Sequence, residues 1–444
     1  MKTNKQKYLS ILVVLIMIFT MIPNYALAVP DDGKSQQTQC THVHTDTCTP
    51  KEATPGTPCD KACSEVDTEG KTVHSTDCSF KEATEAVTCE HFPGDNCSPK
   101  DSESELGKPE SAPGLPEEPS KAPEFKDDTV AVIGNKEFKS LKAAFNEAYA
   151  LGFEPITIHL VKSTTVSSTL VIPMLSDFTL ATLPSQTENL TVTVDSASSS
   201  NFDEFFKVEP QGKFTINGNL TIDGSNCSST ISHNARFVTN HGNFNLVNGT
   251  LKTAYSGNGV TSCGDDAVFN MSGGTITGVT GRNYNGAVKV CCNGTFNLSG
   301  GQITKNSVSN IEGGAGVLLA GALEGSNMYA SGGATFNMSG GEITHNQGWY
   351  AGGVLLYGQH PSKLCKMTMT GGLIGNNTAI STVPRVSSAG GGVYSLLNSQ
   401  FTMLGGTISD NSVTGGGYGG GVATFDGFDH SNRAGFTMEG GTIT

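Results

Sequence analysis

Apolar and polar residues alternate along most of the second half of the chain, in a unit that is broken by a pair of glycines. One copy reads Thr335-Phe-Asn-Met-Ser-Gly-Gly-Glu-Ile-Thr344, with apolar Phe336, Met338 and Ile343 separated by polar positions. A period of two residues is expected of a strand that buries one face. The unit therefore predicts short β-strands whose apolar side chains form a core.

Copies of this unit recur at loose intervals. They lie at Phe269–Thr277, Thr295–Thr304, Thr335–Thr344, Met367–Ile374, Phe401–Ser409 and Phe436–Thr444. The glycine pairs begin at 273, 300, 340, 371, 405 and 440, so the steps run from 27 to 40 residues. A second glycine-led pattern follows, as in Gly352-Gly-Val-Leu-Leu-Tyr357. Repeats of this length predict a solenoid with two short strands in each coil.

One amphipathic helix is predicted before the repeats, over Ser140–Leu151. Ser140 can cap its first turn, Gly152 can end it, and its apolar stripe is Leu141, Ala144, Phe145 and Ala148. The first coil of a solenoid exposes apolar core and unpaired strand edges. We therefore expect this helix to cap the coil.

The cap and the repeats resemble pectin-lyase-like parallel β-helices of bacterial surface proteins over residues 129–444. The Gly-Gly-x-Val and Phe-x-x-x-Gly-Gly elements are also similar to the repeats of polymorphic outer-membrane proteins. The resemblance implies an all-β fold, a right-handed parallel β-helix solenoid with a short N-terminal capping helix. It carries little information about activity, because one fold supports many functions.

The first 28 residues have the pattern of a signal peptide. A basic start with Lys2 and Lys5 precedes the apolar run Leu9–Ile22, and Ala26-Leu-Ala28 offers a cleavage site. The apolar run is shorter than the ~20 residues that span a bilayer, and no later stretch is long enough. We expect a secreted protein. The repeat that stops at Thr444 also predicts a longer chain, whose missing C-terminal region could attach it to the cell wall.

Residues 29–97 form a cysteine- and histidine-rich module, followed by a Pro-, Glu- and Ser-rich linker at 98–128. The stretch Cys40-x-His-x-His-x-x-x-Cys48 resembles Cys-His repeats near the ends of Gram-positive surface proteins. Cys40, His42, His44 and Cys48 are the candidate ligands of a zinc ion. Disulfides are the alternative, because an exported chain meets an oxidising environment. A third interpretation is that the histidines are solvated loop residues that bind nothing, and all three interpretations stay open.

The formal charge of -14 disfavours nucleic acid and anionic membranes as partners, because like charges repel. Four asparagines each lie five residues after the second glycine of a repeat. Stacked coils would align them as a structural ladder rather than a ligand site. These residues are Asn306, Asn346, Asn377 and Asn411.

Candidate chemistry is sparse. Asp265 and Asp266 resemble the Asp-Asp element of polygalacturonases, but the other three motifs of that family are missing. Cys291 and Cys292 are expected to face opposite sides of a strand, so at most one of them is buried. Trp349 and Tyr350, in a loop, offer a platform for a sugar, and edge packing is the alternative role of this aromatic pair.

Two functions remain from different classes. The first is a non-catalytic adhesin or surface scaffold that binds glycan or a host or cell-surface protein. The alternative is a polysaccharide-degrading enzyme of the pectate lyase or polygalacturonase kind, which would need carboxylates that converge in one groove.

Overall fold

A computed structural model of the protein describes residues 123–444, except for 199–201, 228–235, 256, 282–284, 310–312, 321–332, 359–363, 381–389, 416–418 and 427–432. Contacts divide the chain into two units, Met1–Pro116 and Glu117–Thr444. In the first unit, only the backbone of two antiparallel strands is described, β1 (Glu65–Val66) and β2 (Thr72–Val73). The predicted signal peptide and most of the cysteine-rich module and linker therefore lie outside the described residues.

The second unit is a parallel β-helix with three sheets. We name them the valine, phenylalanine and isoleucine sheets, after the side chains that each turns toward the core. Within a coil the chain passes through the valine sheet, then the phenylalanine sheet, then the isoleucine sheet, before it enters the valine sheet again. This arrangement confirms the predicted all-β solenoid.

The valine sheet has nine strands in the part of the chain that the structure describes. They are β7 (Leu170–Ile172), β10 (Glu204–Val208), β13 (Arg236–Asn240), β16 (Val260–Cys263), β19 (Val288–Cys291), β23 (Val317–Ala320), β27 (Val354–Gly358), β31 (Val393–Leu397) and β35 (Val422–Phe425). Val260, Val288 and Val317 are paired directly in successive coils and are fully buried. The second, glycine-led pattern of the sequence thus forms this sheet.

The phenylalanine sheet has twelve described strands and holds a stack of aromatic rings. Along the core, the ring centroids of Phe269 and Phe296 are 4.7 Å apart, and those of Phe296 and Phe336 are 4.8 Å apart. Aromatic and β-branched residues in register across strands stabilise a sheet. Its strands are β3 (Ala131–Ile133), β4 (Lys136–Phe138), β5 (Ile156–Leu160), β8 (Asp177–Thr182), β11 (Lys213–Asn217), β14 (Asn243–Leu246), β17 (Val268–Met271), β20 (Thr295–Leu298), β24 (Ala334–Met338), β28 (Cys365–Met369), β32 (Ser399–Met403) and β36 (Ala434–Met438).

The isoleucine sheet begins as one row of strands and continues as two. The single row is β6 (Thr164–Val166), β9 (Leu190–Val194), β12 (Leu220–Asp223), β15 (Thr250–Tyr255) and β18 (Thr275–Gly281). One branch is β21 (Gln302–Thr304), β25 (Glu342–Thr344), β29 (Leu373–Gly375), β33 (Thr407–Ser409) and β37 (Thr442–Ile443). The other is β22 (Ser307–Val308), β26 (Gln347–Gly348), β30 (Thr378–Ile380) and β34 (Ser412–Thr414).

The prediction of two strands per coil was wrong, because the glycine pair is a corner rather than part of one strand. Gly301, the second glycine of its pair, has φ +84°, a conformation that other residues rarely adopt. A Cβ atom on the first glycine, Gly300, would lie 2.3 Å from the carbonyl oxygen of Ser272 in the preceding coil. Each repeat therefore supplies one strand to the phenylalanine sheet and another to the isoleucine sheet.

The predicted capping helix is confirmed as α1 (Leu141–Ala150). The Ser140 hydroxyl accepts a hydrogen bond of 3.2 Å from the backbone N–H of Ala143, as expected of an N-cap residue. The four residues of the predicted apolar stripe are the ones that the helix buries. The ring of Phe145 lies 5.9 Å from that of Phe178 and 6.0 Å from that of Phe206, so the helix packs against the core of the first coils.

Candidate functional site

The four predicted asparagines form one column, here called the inner ladder, in which Asn306, Asn346 and Asn377 are buried and the last, Asn411, is half-buried. The side-chain oxygen of Asn346 accepts hydrogen bonds from the backbone N–H of Asn306, at 3.1 Å, and from its side-chain Nδ2, at 2.9 Å. Asn377 and Asn411 continue the same pattern, and each of these four bonds is 3.0 Å long. Each Nδ2 also donates to a carbonyl of the preceding coil, as Asn346 does to Ile303 at 2.9 Å. The ladder thus satisfies turn backbone across successive coils.

A second column of asparagines lies on the outer face of the phenylalanine sheet. This outer ladder consists of Asn245, Asn270, Asn297 and Asn337, and the Nδ2 atom of each of the last three donates to the Oδ1 atom of the residue before it at 2.8–2.9 Å. Their side chains are half-buried or exposed. The sequence offered a signal, because Asn270, Asn297 and Asn337 each lie four positions before the second glycine of their repeat, and Asn245 lies four before the single glycine Gly249.

The candidate acids Asp265 and Asp266 are both exposed after the end of β16. The side-chain amide of Asn293 in the next coil donates a hydrogen bond of 2.5 Å to Asp265. Among described residues, the grouping of three or more His, Cys, Asp or Glu donor atoms is formed by three cysteines and includes neither aspartate. The two aspartates thus lie at a corner, where Asp265 joins two coils through its hydrogen bond with Asn293.

The predicted zinc ligands Cys40, His42, His44 and Cys48 lie outside the described residues. Zinc binding and disulfide formation in this module therefore both stay predictions. The described cysteine group consists of Cys263, Cys291 and Cys292, whose sulfur atoms all lie within 4.8 Å of one another. Only Cys291 of the neighbouring pair is buried, in agreement with the prediction that at most one would be. The predicted reason was wrong, because the strand ends at Cys291 and the two sulfurs lie close together rather than on opposite faces.

Trp349 borders a pocket of about 300 Å³ beside the second branch of the isoleucine sheet. Three successive coils contribute its lining, which consists of Ser307, Val308, Ser309, Gln347, Gly348, Trp349 and Ile380. The indole Nε1–H is buried and finds no acceptor among the described residues. Burying such a donor without a partner costs about 1–3 kcal/mol. The pocket thus combines apolar and aromatic surface with hydroxyl groups and an amide.

An open groove of about 450 Å³ crosses the same three coils at the glycine corners. Its lining is Gly300, Gly301, Gln302, Gly341, Glu342, Gly372 and Leu373. The Gln302 amide donates a hydrogen bond of 3.1 Å to the Glu342 carboxylate across this surface. Because glycines lack side chains, the corner forms a shallow polar channel that runs from coil to coil.

No protein-family model, curated protein or solved structure matches this chain. The described residues contain no helix that is both long enough and apolar enough to cross a membrane. The assignment of the fold therefore rests on strand register and core packing, while the resemblance to pectin-lyase-like and Gram-positive surface proteins stays a prediction.

Proposed function

We propose that this protein is an exported or cell-surface β-helix without catalytic activity, an adhesin or display scaffold that binds glycan. The observation that carries the proposal is the pocket beside Trp349. Small-ligand sites typically combine apolar and aromatic surface with a few polar groups that fix orientation. The Trp349 pocket has that composition.

A saccharide suits these groups better than a purely apolar ligand. The face of an indole ring can cover the C–H groups of a sugar ring, while Ser307, Ser309 and Gln347 offer hydroxyl and amide groups to sugar hydroxyls. The groove at the glycine corners is built from the same coils and could take further units of an extended polymer. Cell-surface proteins that bind through their own polar groups remain the other class of partner for such an exposed surface.

The charge of the chain narrows the class of glycan. With a formal charge of -14, the protein repels polyanions at long range. A neutral oligosaccharide is therefore a better ligand than an acidic polymer such as pectate. This argument also disfavours the pectate lyase or polygalacturonase alternative, whose substrates are acidic.

The test is binding of the full secreted chain to arrays of neutral and acidic oligosaccharides. We expect neutral ligands to bind and Trp349→Ala to weaken binding about tenfold or more, as at aromatic hot spots. Trp349→Phe, which keeps a ring but loses the N–H, should give an intermediate loss. Phe153→Ala is the matched control, because Phe153 is an exposed aromatic side chain (67% exposed) outside the pocket.

The same samples should be assayed for new reducing ends and unsaturated products. Binding without turnover supports the proposal. Turnover would favour the enzyme instead. Equal losses of glycan binding in Trp349→Ala and Phe153→Ala would show that the ligand does not bind in the Trp349 pocket.

A further inference from the structure

Three cysteine sulfurs meet at one corner of the coil, where two strands of the valine sheet end. Cys263 and Cys291 are the last residues of β16 and β19, their Cα atoms are 4.7 Å apart, and a disulfide joins them. Cys292 follows directly and is not part of that disulfide. Its sulfur nevertheless lies within 4.8 Å of both bonded sulfurs.

Strand register brings the first two cysteines together. Val260-Thr-Ser-Cys263 pairs residue by residue with Val288-Lys-Val-Cys291, and parallel neighbours in register point to the same face about 4.8 Å apart. The strand ends at Cys291, so the alternation that would send Cys292 to the opposite face does not continue. Cys292 has φ 53° and Asn293 has φ 69°, and this left-handed turn leaves the third sulfur beside the other two.

We propose that Cys263, Cys291 and Cys292 form a thiol–disulfide exchange site, at which the disulfide partner of Cys263 alternates between Cys291 and Cys292. In the forward step, the thiolate of Cys292 attacks the sulfur of Cys263. The Cys263–Cys292 bond forms, the Cys263–Cys291 bond breaks, and the electron pair leaves on the sulfur of Cys291. Cys291 takes up a proton from water in place of the one that Cys292 released, so no oxidant or reductant is consumed.

Attack on Cys263 is favoured over attack on Cys291. A Cys291–Cys292 disulfide would join residues whose Cα atoms are only about 3.8 Å apart, as adjacent residues always are. Ordinary disulfides have Cα separations of about 4.4–6.8 Å. The pairing of Cys263 with either partner also keeps the two neighbouring coils covalently joined, whereas a bond between adjacent residues would release them.

Other contacts hold this corner in both forms. The backbone N–H of Asn293 donates to the carbonyl of Gly333 at 2.6 Å, and its side chain donates to Asp265 at 2.5 Å. These bonds join Asn293 to the coils on both sides and involve no cysteine. The exchange therefore needs only side-chain movement at the corner.

The two forms differ in the thiol that they present. When Cys263 is bonded to Cys291, the remaining thiol is that of half-buried Cys292, which a small disulfide can approach. When Cys263 is bonded to Cys292, the remaining thiol is that of Cys291, which is 0% exposed. In the first form the Cys292 thiolate can therefore attack a low-molecular-weight disulfide, such as oxidised glutathione. A mixed disulfide forms on Cys292 and one glutathione thiolate leaves, whereas the second form shields its thiol from this exchange.

Disulfide mapping of the full oxidised chain tests the proposal. The protein is incubated at about pH 8 with catalytic glutathione, then acidified to about pH 3, where protonation of thiolates stops exchange. Pepsin digestion and tandem mass spectrometry then identify the partner of Cys263. We expect peptides with both the Cys263–Cys291 and the Cys263–Cys292 bond in the wild-type chain, and loss of the second in Cys292→Ser.

Cys291→Ser should form the Cys263–Cys292 disulfide, which shows directly that the second pairing is sterically allowed. Cys365→Ser is the control and should match the wild type, because burial raises the pKa of the Cys365 thiol to about 12 and keeps it unreactive. A wild-type chain with only the Cys263–Cys291 bond after incubation would overturn the proposal, whether or not the variants fold. Cross-linking of Cys292 to a cysteine of residues 40–97 would overturn it as well.

Discussion

The inner and outer asparagine ladders use the same side chain in two environments, and their hydrogen bonds differ accordingly. Asn346 of the inner ladder is 1% exposed and makes four side-chain bonds, two of them to backbone groups of other coils. Asn297 of the outer ladder makes two bonds, both to asparagine side chains. Water can replace the outer bonds but cannot reach the inner ones. We therefore expect stability to depend on the inner ladder far more than on the outer one.

The largest effect is expected from Asn346→Leu, which breaks the inner ladder at its centre. The backbone N–H of Asn306 and the carbonyl of Ile303 each lose a buried partner, and each loss costs about 1–3 kcal/mol. We expect the free energy of unfolding to fall by about 3–5 kcal/mol, measured by urea titration with far-UV circular dichroism.

Asn297→Leu is the matched control, because it makes the same chemical change in the outer ladder. Its expected loss is about 1 kcal/mol or less, since both lost bonds are on the surface. Equal losses in the two variants would contradict the distinction between the ladders. Because coils of a solenoid can unfold in stages, the comparison should use the same transition in each titration.

A smaller, pH-dependent effect is expected from Asn346→Asp. The carboxylate could still accept from both nitrogen atoms of Asn306, but it would face the Oδ1 atom of Asn377 and the carbonyl of Ile303 without a proton to donate. Burial and these oxygen atoms would raise the pKa of the new carboxyl in the folded chain above its unfolded value of about 3.9. The variant should thus be more stable below about pH 4 and lose stability as the pH rises through the folded pKa.

The size of that effect follows from the pKa shift, at about 1.4 kcal/mol per unit. We expect the variant to lose about 1–3 kcal/mol more than the wild-type chain between about pH 4 and pH 7. The measurement is the urea midpoint at each pH, with Asn297→Asp as the exposed control. A variant of Asn346 whose stability followed the wild-type pH profile would show that the inner column is hydrated.

Much of this fold could be predicted from the sequence, because a solenoid repeats the same local pattern. The alternation around Phe336, the capping stripe of α1 and the constant spacing of the inner ladder are all local. The corner at each glycine pair is not predicted when the repeat is treated as one strand, although the alternation slips there. Met338 and Ile343 are five residues apart, a separation that a continuous strand would place on opposite faces. The positive φ of residues such as Gly301 marks where the chain changes sheets.

The sites were harder to predict, because they depend on alignment between coils. Ser307, Trp349 and Ile380 line one pocket, yet loops of different lengths separate them along the chain. The repeats that follow Cys263 and Cys291 match closely, but Cys263 lies six residues before Phe269 and Cys291 lies five before Phe296. Counting back from the repeats would therefore misalign the two cysteines by one position. No local sequence pattern predicts the register in which β16 pairs with β19.

The smallest effect is expected from Asn297→Thr, which tests whether the outer ladder needs asparagine at all. In register with Asn337, the next coils place Thr368 and then Thr402 in this column, and Thr215 precedes Asn245. A threonine is suited to an exposed strand and its hydroxyl can replace one of the two bonds. We expect a change within about 0.5 kcal/mol in the same urea titration. A loss as large as that of Asn297→Leu would instead show that the continuous row of amides stabilises the outer face, because both substitutions interrupt that row but only threonine keeps a hydrogen-bonding group.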